Sequence, residues 1–198
     1  MELRRVDWAE GEWWNRPVRV ESVPDGGLVV EPGENTDLWR HTSYGFVHDD
    51  APALLAPLPA GAAVEVSFLL DYGAQFDQAG VLVRVDSDTW VKAGVEVSDG
   101  QPQVGAVVTR GLSDWSVAAV PEWAGREVTV RVSRAGDALT VRARVGSGSW
   151  RLVRLAPLAP EAVAAAGPYC CSPTGAGLRV TFTGWHHGPA DTLLHPEG

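Results

Sequence analysis

The stretch from Asp77 to Ser116, DQAGVLVRVDSDTWVKAGVEVSDGQPQVGAVVTRGLSDWS, constrains the fold more than any other part of the chain. Ala79, Val81, Val83 and Val85 alternate with Gly80, Leu82 and Arg84, and Val91, Ala93, Val95 and Val97 alternate with Trp90, Lys92, Gly94 and Glu96. A period of two over runs this long predicts strands. Asp99-Gly100 between two such runs is a two-residue hairpin signal. It sets Glu96 opposite Gln103, Gly94 opposite Gly105, Lys92 opposite Val107 and Trp90 opposite Thr109. A three-residue Asp86-Ser87-Asp88 loop on the other side places Gln78, Gly80, Leu82 and Arg84 opposite Glu96, Gly94, Lys92 and Trp90. Slipping the pairing by one residue would turn polar side chains into the valine face, so this register is the expected one.

One face of the predicted sheet is then valine-rich and suited to a core. The other carries a row of Gln78, Glu96 and Gln103, a row of Gly80, Gly94 and Gly105, and rows around Lys92 and Trp90. With strands about 4.8 Å apart, a glycine row leaves a strip of bare backbone. The readings that stay open are a flat floor for a ligand, glycines covered by an aromatic from a neighbouring loop, or glycines marking bulges and bends.

At 198 residues and 45% hydrophobic composition, the chain suits one large all-β domain, spanning 1–198. Residues 1–16 hold Trp8, Trp13 and Trp14 and are expected to dock on the sheet or on a partner, and 185–198 are expected to be an irregular tail. A net charge of -9 argues against a nucleic-acid surface or a polybasic membrane anchor. The N-terminus lacks the apolar run of a signal peptide, and no stretch approaches the ~18 apolar residues of a membrane span. A cytoplasmic location is the expectation. Cys170 and Cys171 are adjacent, which disfavours an ordinary disulfide and points to buried free thiols.

Further hairpins follow in order. Val18 to Val23 and Leu28 to Glu31 flank the turn cluster Pro24-Asp25-Gly26-Gly27. The polar-aromatic run from Asn35 to Phe46 has no clean period and is a candidate binding loop. Val64, Val66, Phe68 and Leu70 mark a long strand. Residues 128–132 and 139–145 flank Gly136-Asp137, a hairpin expected to carry arginines on a wet face. Ala156 to Ala166 is the one predicted helix, with Pro160 in its first turn. Leu178, Val180 and Phe182 mark the closing strand. Turns recurring every 8 to 12 residues or so point to an antiparallel sandwich.

Of the 16 basic residues, Lys92 alone is a lysine. Lysine and arginine are not interchangeable donors, so a local requirement at this position is expected. Glu96 lies about 13 Å further along the same strand face by strand rise, too far for the two to satisfy each other. Trp39, Tyr44, Trp90 and Trp115 are candidate platforms, since aromatic faces suit the apolar faces of sugar rings. Catalysis has weaker support. Glycoside hydrolysis needs two carboxylates, and Glu96 has only Asp77 or Asp114 as loop-borne partners. There is no G-x-S-x-G elbow, no phosphate loop and no dinucleotide fingerprint, and the histidines, including His186-His187 at an expected solvated corner, lack metal-motif spacing.

The segments DQAGVLVRVDSDTWVKAGVE, VVTRGLSDWS, TDLWRHTSYGF and GPYCCSP followed by GLRVTF resemble a family of unknown function with a concanavalin A-like lectin/glucanase fold, which includes a fungal protein named for regulation of enolase. The resemblance spans most of the chain and implies a concanavalin A-like, antiparallel jelly-roll β-sandwich. In relatives of that wider fold the concave face binds saccharides. The glucanase pattern E-x-D-x-x-E is absent from this sequence, so that activity is not implied.

The sequence therefore points to an all-β, non-catalytic binding protein for a small ligand, a saccharide before others, needing neither metal nor cofactor. Its expected ligand-binding residues are Trp39, Tyr44, Gln78, Trp90, Lys92, Glu96, Gln103, Thr109, Asp114 and Trp115. Two alternatives stay open: a sugar-active enzyme using Glu96 with a loop carboxylate, and a protein-interaction module presenting the N-terminal tryptophans. The sequence does not decide the oligomeric state.

Overall fold

The structure, a computed structural model, describes residues 3–195. Its strands, in chain order, begin with β1 (Arg4–Arg5), β2 (Glu12–Trp14), β3 (Arg19–Ser22), β4 (Leu28–Glu31), β5 (Leu38–Arg40) and β6 (Val47–Asp49). Next come β7 (Ala53–Pro57), β8 (Ala62–Leu69), β9 (Gln78–Arg84), β10 (Thr89–Ser98), β11 (Gln101–Arg110) and β12 (Leu112–Ala119). The last are β13 (Glu127–Ala135), β14 (Ala138–Val145), β15 (Arg151–Pro157), β16 (Ala165–Cys171) and β17 (Val180–Pro189). Two antiparallel sheets form a jelly-roll sandwich. One runs β15-β14-β13-β8-β17-β4-β3, with β1 also on β17, and the other runs β12-β11-β10-β9-β16-β7-β2. The hairpin β5–β6 stands apart from both.

The register inferred around Asp99-Gly100 is the observed one. Glu96 faces Gln103, Gly94 faces Gly105, Lys92 faces Val107 and Trp90 faces Thr109, while Gln78, Gly80, Leu82 and Arg84 complete the rows. The inner faces meet in one core. Val81, Val83, Val91 and Val95 from one sheet pack with Val66, Phe68, Val130, Val141 and Phe182 from the other, all of them buried. Removing this much branched apolar surface from water is the main force holding the layers together.

Four expectations are corrected. The alanine-rich segment 156–166 is no helix: β15 runs through Pro157, a short crossover follows, and β16 starts at Ala165. Pro157 and Pro160 interrupt the donor pattern a helix needs, and β16 gains ladder partners on both β9 and β7. The chain is not irregular from residue 185, because Trp185 to Pro189 continue β17 along β8 after a bulge near Phe182 and Gly184. His186 and His187 thus sit half-buried in a strand, with the His187 ring edge-on to Trp185 at 5.8 Å, and are no solvated corner. The arginines of β13 and β14 are not fully wet either. Arg131 bonds Glu65, Asp191 and the Pro189 carbonyl, and Arg142 bonds Asp191 and the Leu194 carbonyl, so residues 189–194 lie strapped across them.

The N-terminal segment docks on the chain's own sheets. β1 extends β17 and β2 extends β7. Trp8 stacks on buried Trp185 with ring centroids 6.1 Å apart, and Trp13 packs against the core.

The glycine row has a backbone cause. A Cβ on Gly80 would lie 2.0 Å from the Ala93 carbonyl oxygen, and one on Gly94 would lie 2.0 Å from that of Ala79. The neighbouring strands approach too closely there for any side chain, which gives the glycines a structural reason, and the register passes through all three without a bulge. Gly94→Ala is therefore expected to destabilise the protein by several kcal/mol, at or beyond the usual limit of ~4–5 kcal/mol for a point substitution. Gly100→Ala, at a φ of +76° with open space around it, should lose only about 1–2 kcal/mol. Urea unfolding of the two variants checks the contrast.

Candidate functional site

The outer face of the β12-to-β2 sheet is divided in two by the β5–β6 hairpin. The hairpin packs Leu38 and Trp39 onto Leu82, Trp90, Val107 and Tyr169, making a second, smaller buried cluster outside the main core. Three polar ties hold it there. Arg84 pairs with Asp49 through two contacts of 2.9 Å, the bidentate geometry that strengthens an arginine-carboxylate bond. The Arg40 backbone N–H donates to Ser113 Oγ at 2.9 Å, and its guanidinium reaches Asp88 at 3.0 Å. Ahead of β5, Asp37 Oδ1 accepts from Lys92 Nζ at 2.7 Å and from the Leu38 N–H at 2.7 Å.

Beside the hairpin an open hollow of about 280 Å³ remains. Gln78, Lys92 and Glu96 line it from β9 and β10, and Val107 and Trp115 from β11 and β12. The hairpin region contributes Asn35, Asp37, Trp39, Tyr44, Phe46 and His48, and Phe76, Pro173 and Thr174 close the remaining side. Trp39 meets Tyr44 edge-on at 5.5 Å and Trp115 at 84° and 6.5 Å, while Tyr44 stacks on Phe46 at 5.3 Å. Two lining residues hold left-handed backbone, Asn35 at φ 56° and Phe76 at φ 65°. A bulky aromatic is rarely found there, and such strain collects at functional sites.

The structure brings together six of the ten expected residues: Trp39, Tyr44, Gln78, Lys92, Glu96 and Trp115. The other four lie elsewhere, each for a visible reason. Trp90 is buried under the hairpin with 2% of its surface exposed. Thr109 is buried too and shares a 2.9 Å hydrogen bond with Ser113, the residue that anchors Arg40. Gln103 turns away and donates to the Ser98 carbonyl and hydroxyl. Asp114 pairs with Arg154 at 2.7 Å at the sandwich edge. Asp77, the other carboxylate considered beside Glu96, is buried and accepts from Ser172 Oγ at 2.9 Å. The carboxylate that does enter the hollow with Glu96 is Asp37, which sequence reasoning missed.

The glycine strip is not the floor, as none of Gly80, Gly94 and Gly105 lines the hollow. Trp115 and Tyr169 close over Gly94 and Gly105 and leave a void of about 10 Å³.

The two charged residues of β10 have different fates. Lys92 is buried, which pulls its pKa down, but Asp37, Cys171 and Glu96 more than offset this and hold it above the ordinary lysine value. It is a committed cation with two N–H donors beyond the Asp37 bond. Glu96 has an Oε1 that is buried without a hydrogen-bond partner among the described residues. Burial pushes its pKa up to about 7; Lys92 and the polar edge of Trp115 pull it down, and Asp37 and Asp99 add to the rise. Cys170 and Cys171 are free and buried, and burial raises both thiols far above neutrality. Among the described residues no group of three or more His, Cys, Asp or Glu side chains is arranged to hold a metal ion, and no helix is long and apolar enough to cross a membrane.

Residues 13–190 match the family described as "Protein of unknown function (DUF1349)". The chain belongs to this family. It is 36% identical to "Regulation of enolase protein 1" of Saccharomyces cerevisiae over 196 residues, 98% of each chain. It also superposes with a TM-score of 0.86 on the crystal structure of a functionally unknown protein from Saccharomyces cerevisiae, at 35% identity over 93% of this chain and 98% of that one. A third similarity is to a xylan beta-1,4-xylosidase from Bacillus halodurans, with a TM-score of 0.68 at 14% identity, covering 94% of this chain and 39% of the other. At that identity the likeness speaks for the fold alone.

Two outcomes follow from the charges. Because the folded state favours protonated Glu96, its contribution to stability is complete below the ordinary value of 4.5 and is lost as pH rises through about 7. The loss amounts to at most about 3 kcal/mol. Wild-type stability should therefore decline across that window and Glu96→Gln should flatten the decline in urea titrations. Lys92→Met leaves Asp37 without its cation and should lose about 2–5 kcal/mol, and Asp37→Asn in the same chain should restore part of it.

Proposed function

We propose that the hollow is a non-catalytic binding site for a small saccharide. The observation carrying this reading is the juxtaposition, in one open hollow of about 280 Å³, of an aromatic wall and a polar floor. A sugar ring offers an apolar C–H face and a rim of hydroxyls, each both donor and acceptor. Trp39, Tyr44 and Trp115 supply rigid apolar area for the first. Lys92, Asp37, Glu96, Gln78 and Asn35 supply donors and acceptors for the second. The size lies near the low end for small-molecule sites, about 300–1,000 Å³, so the occupant is one or two rings of a saccharide.

A sugar-active enzyme is the second reading, favoured by one observation: Glu96 stands in the hollow with a pKa of about 7, poised as a general acid or base. Asp37 would be its carboxylate partner, but Asp37 is already committed to Lys92. For the protein-interaction alternative, Trp8 and Trp13 pack against the chain's own residues, while Trp14 stays exposed beneath the Arg84 guanidinium.

A thermal-shift screen of mono- and disaccharides tests the reading. A bound sugar at a hundredfold excess over Kd adds about 2.7 kcal/mol, or several degrees in Tm. Tyr44→Ala and Trp115→Ala, at positions 57% and 38% exposed, should keep the fold and abolish the shift. Silence across the screen rejects a saccharide site. Turnover of a bound sugar that disappears in Glu96→Gln selects the enzyme instead.

A further inference from the structure

We propose that the saccharide taken by this hollow carries an ammonium group, with Glu96 as its counter-charge. The inference rests on the saccharide reading and narrows it to amino sugars. Lys92 and Asp37 neutralise each other at 2.7 Å, and His48, at the mouth, faces Asp50 at 3.5 Å. Among the described lining residues Glu96 is the acidic group that has no basic group in direct contact. Its Oε1 is buried and unpartnered.

An ammonium answers each part of this arrangement at once. It donates hydrogen bonds to the carboxylate, supplies the opposite charge, and sits favourably against the electron-rich faces of Trp39, Tyr44 and Trp115. A neutral hydroxyl supplies the bond without the charge, which a glutamine at 96 would serve without the penalty of a buried carboxylate. A uronic acid would bring a third carboxylate beside Asp37 and Glu96 while the single lysine is already engaged. The net charge of -9 works in the same direction at long range.

Binding should then depend on the ionisation of Glu96. The charged and titratable groups acting on it are Lys92 on its own strand, Asp37 ahead of β5, Asp99 in the β10–β11 turn, and Tyr169 and Cys171 on β16, with Trp115 as polar neighbour. His48 stands at the mouth. Since burial already holds Glu96 near half-protonation at neutrality, acidification removes the counter-charge and weakens the complex.

The test is calorimetry of the full chain at pH 6.5 with glucosamine, N-acetylglucosamine, glucose and glucuronate. Glucosamine is expected to bind at least tenfold more tightly than the other three and to weaken as pH falls to 5.5. Glu96→Gln should erase both the preference and the pH dependence while circular dichroism shows the fold retained. Glucose or N-acetylglucosamine binding as well as glucosamine, or a preference that survives Glu96→Gln, overturns the inference and leaves the saccharide site standing. Absence of binding by all four sugars, together with no shift in the wider saccharide screen, overturns both.

Discussion

The ion pair between Lys92 and Asp37 is the contact on which the site depends. Lys92 stands in the middle of a long strand on the outer face of a sheet, where an unpaired ammonium would be expensive to bury. Asp37 reaches it from outside the sheet and brings the β5–β6 hairpin with it, at a distance of 2.7 Å. With Arg84–Asp49 and Arg40–Asp88 as further ties, the hairpin covers Trp90 and Thr109 and stops short of Glu96. The hollow is the part of the face left uncovered. Its aromatic wall is the open side of the same hairpin, so the cluster that seals one half of the face also shapes the other.

Two carboxylates near one lysine have opposite fates because only one of them touches it. Asp37 takes the cation at hydrogen-bond distance and also caps the Leu38 N–H. Glu96, two pleats further along, feels Lys92 as a weaker and more distant attraction that does not cancel burial, and its pKa rises to about 7. A carboxyl group that burial holds near neutrality inside an aromatic-walled hollow supports the binding role proposed for it. The strained backbone at Phe76, which turns an aromatic into the same hollow, agrees with that assignment.

Local patterning made the central sheet legible. Alternation and the Asp99-Gly100 turn were enough to register three strands residue by residue, because a one-residue slip exchanges core for solvent. The sidedness of Lys92 and Glu96 follows from the same argument. The site was legible only where it lies on those strands or in the hairpin run from Asn35 to Phe46. Phe76, Pro173 and Thr174 come from loops outside those stretches, and although Asp37 lies within the Asn35–Phe46 run, no local period announces its contact with Lys92, 55 residues away. Trp90 shares a face with Lys92, but a strand pattern does not say which part of a face another element will cover. The alanine run at 156–166 misled for a related reason: its helix propensity is real but weak, and strand partners on both sides outweighed it.

The account therefore turns on a face divided into a sealed half and an open half. A two-dimensional NMR titration of the indole N–H signals with a panel of neutral and amino sugars measures that division directly. Trp115 and Trp39, which line the hollow, should shift with a common binding curve, while Trp90, on the same sheet face beneath the hairpin, and Trp123 and Trp185 in the core should stay fixed. Shifts at Trp90 matching those at Trp115, or shifts confined to tryptophans outside the hollow, would contradict it.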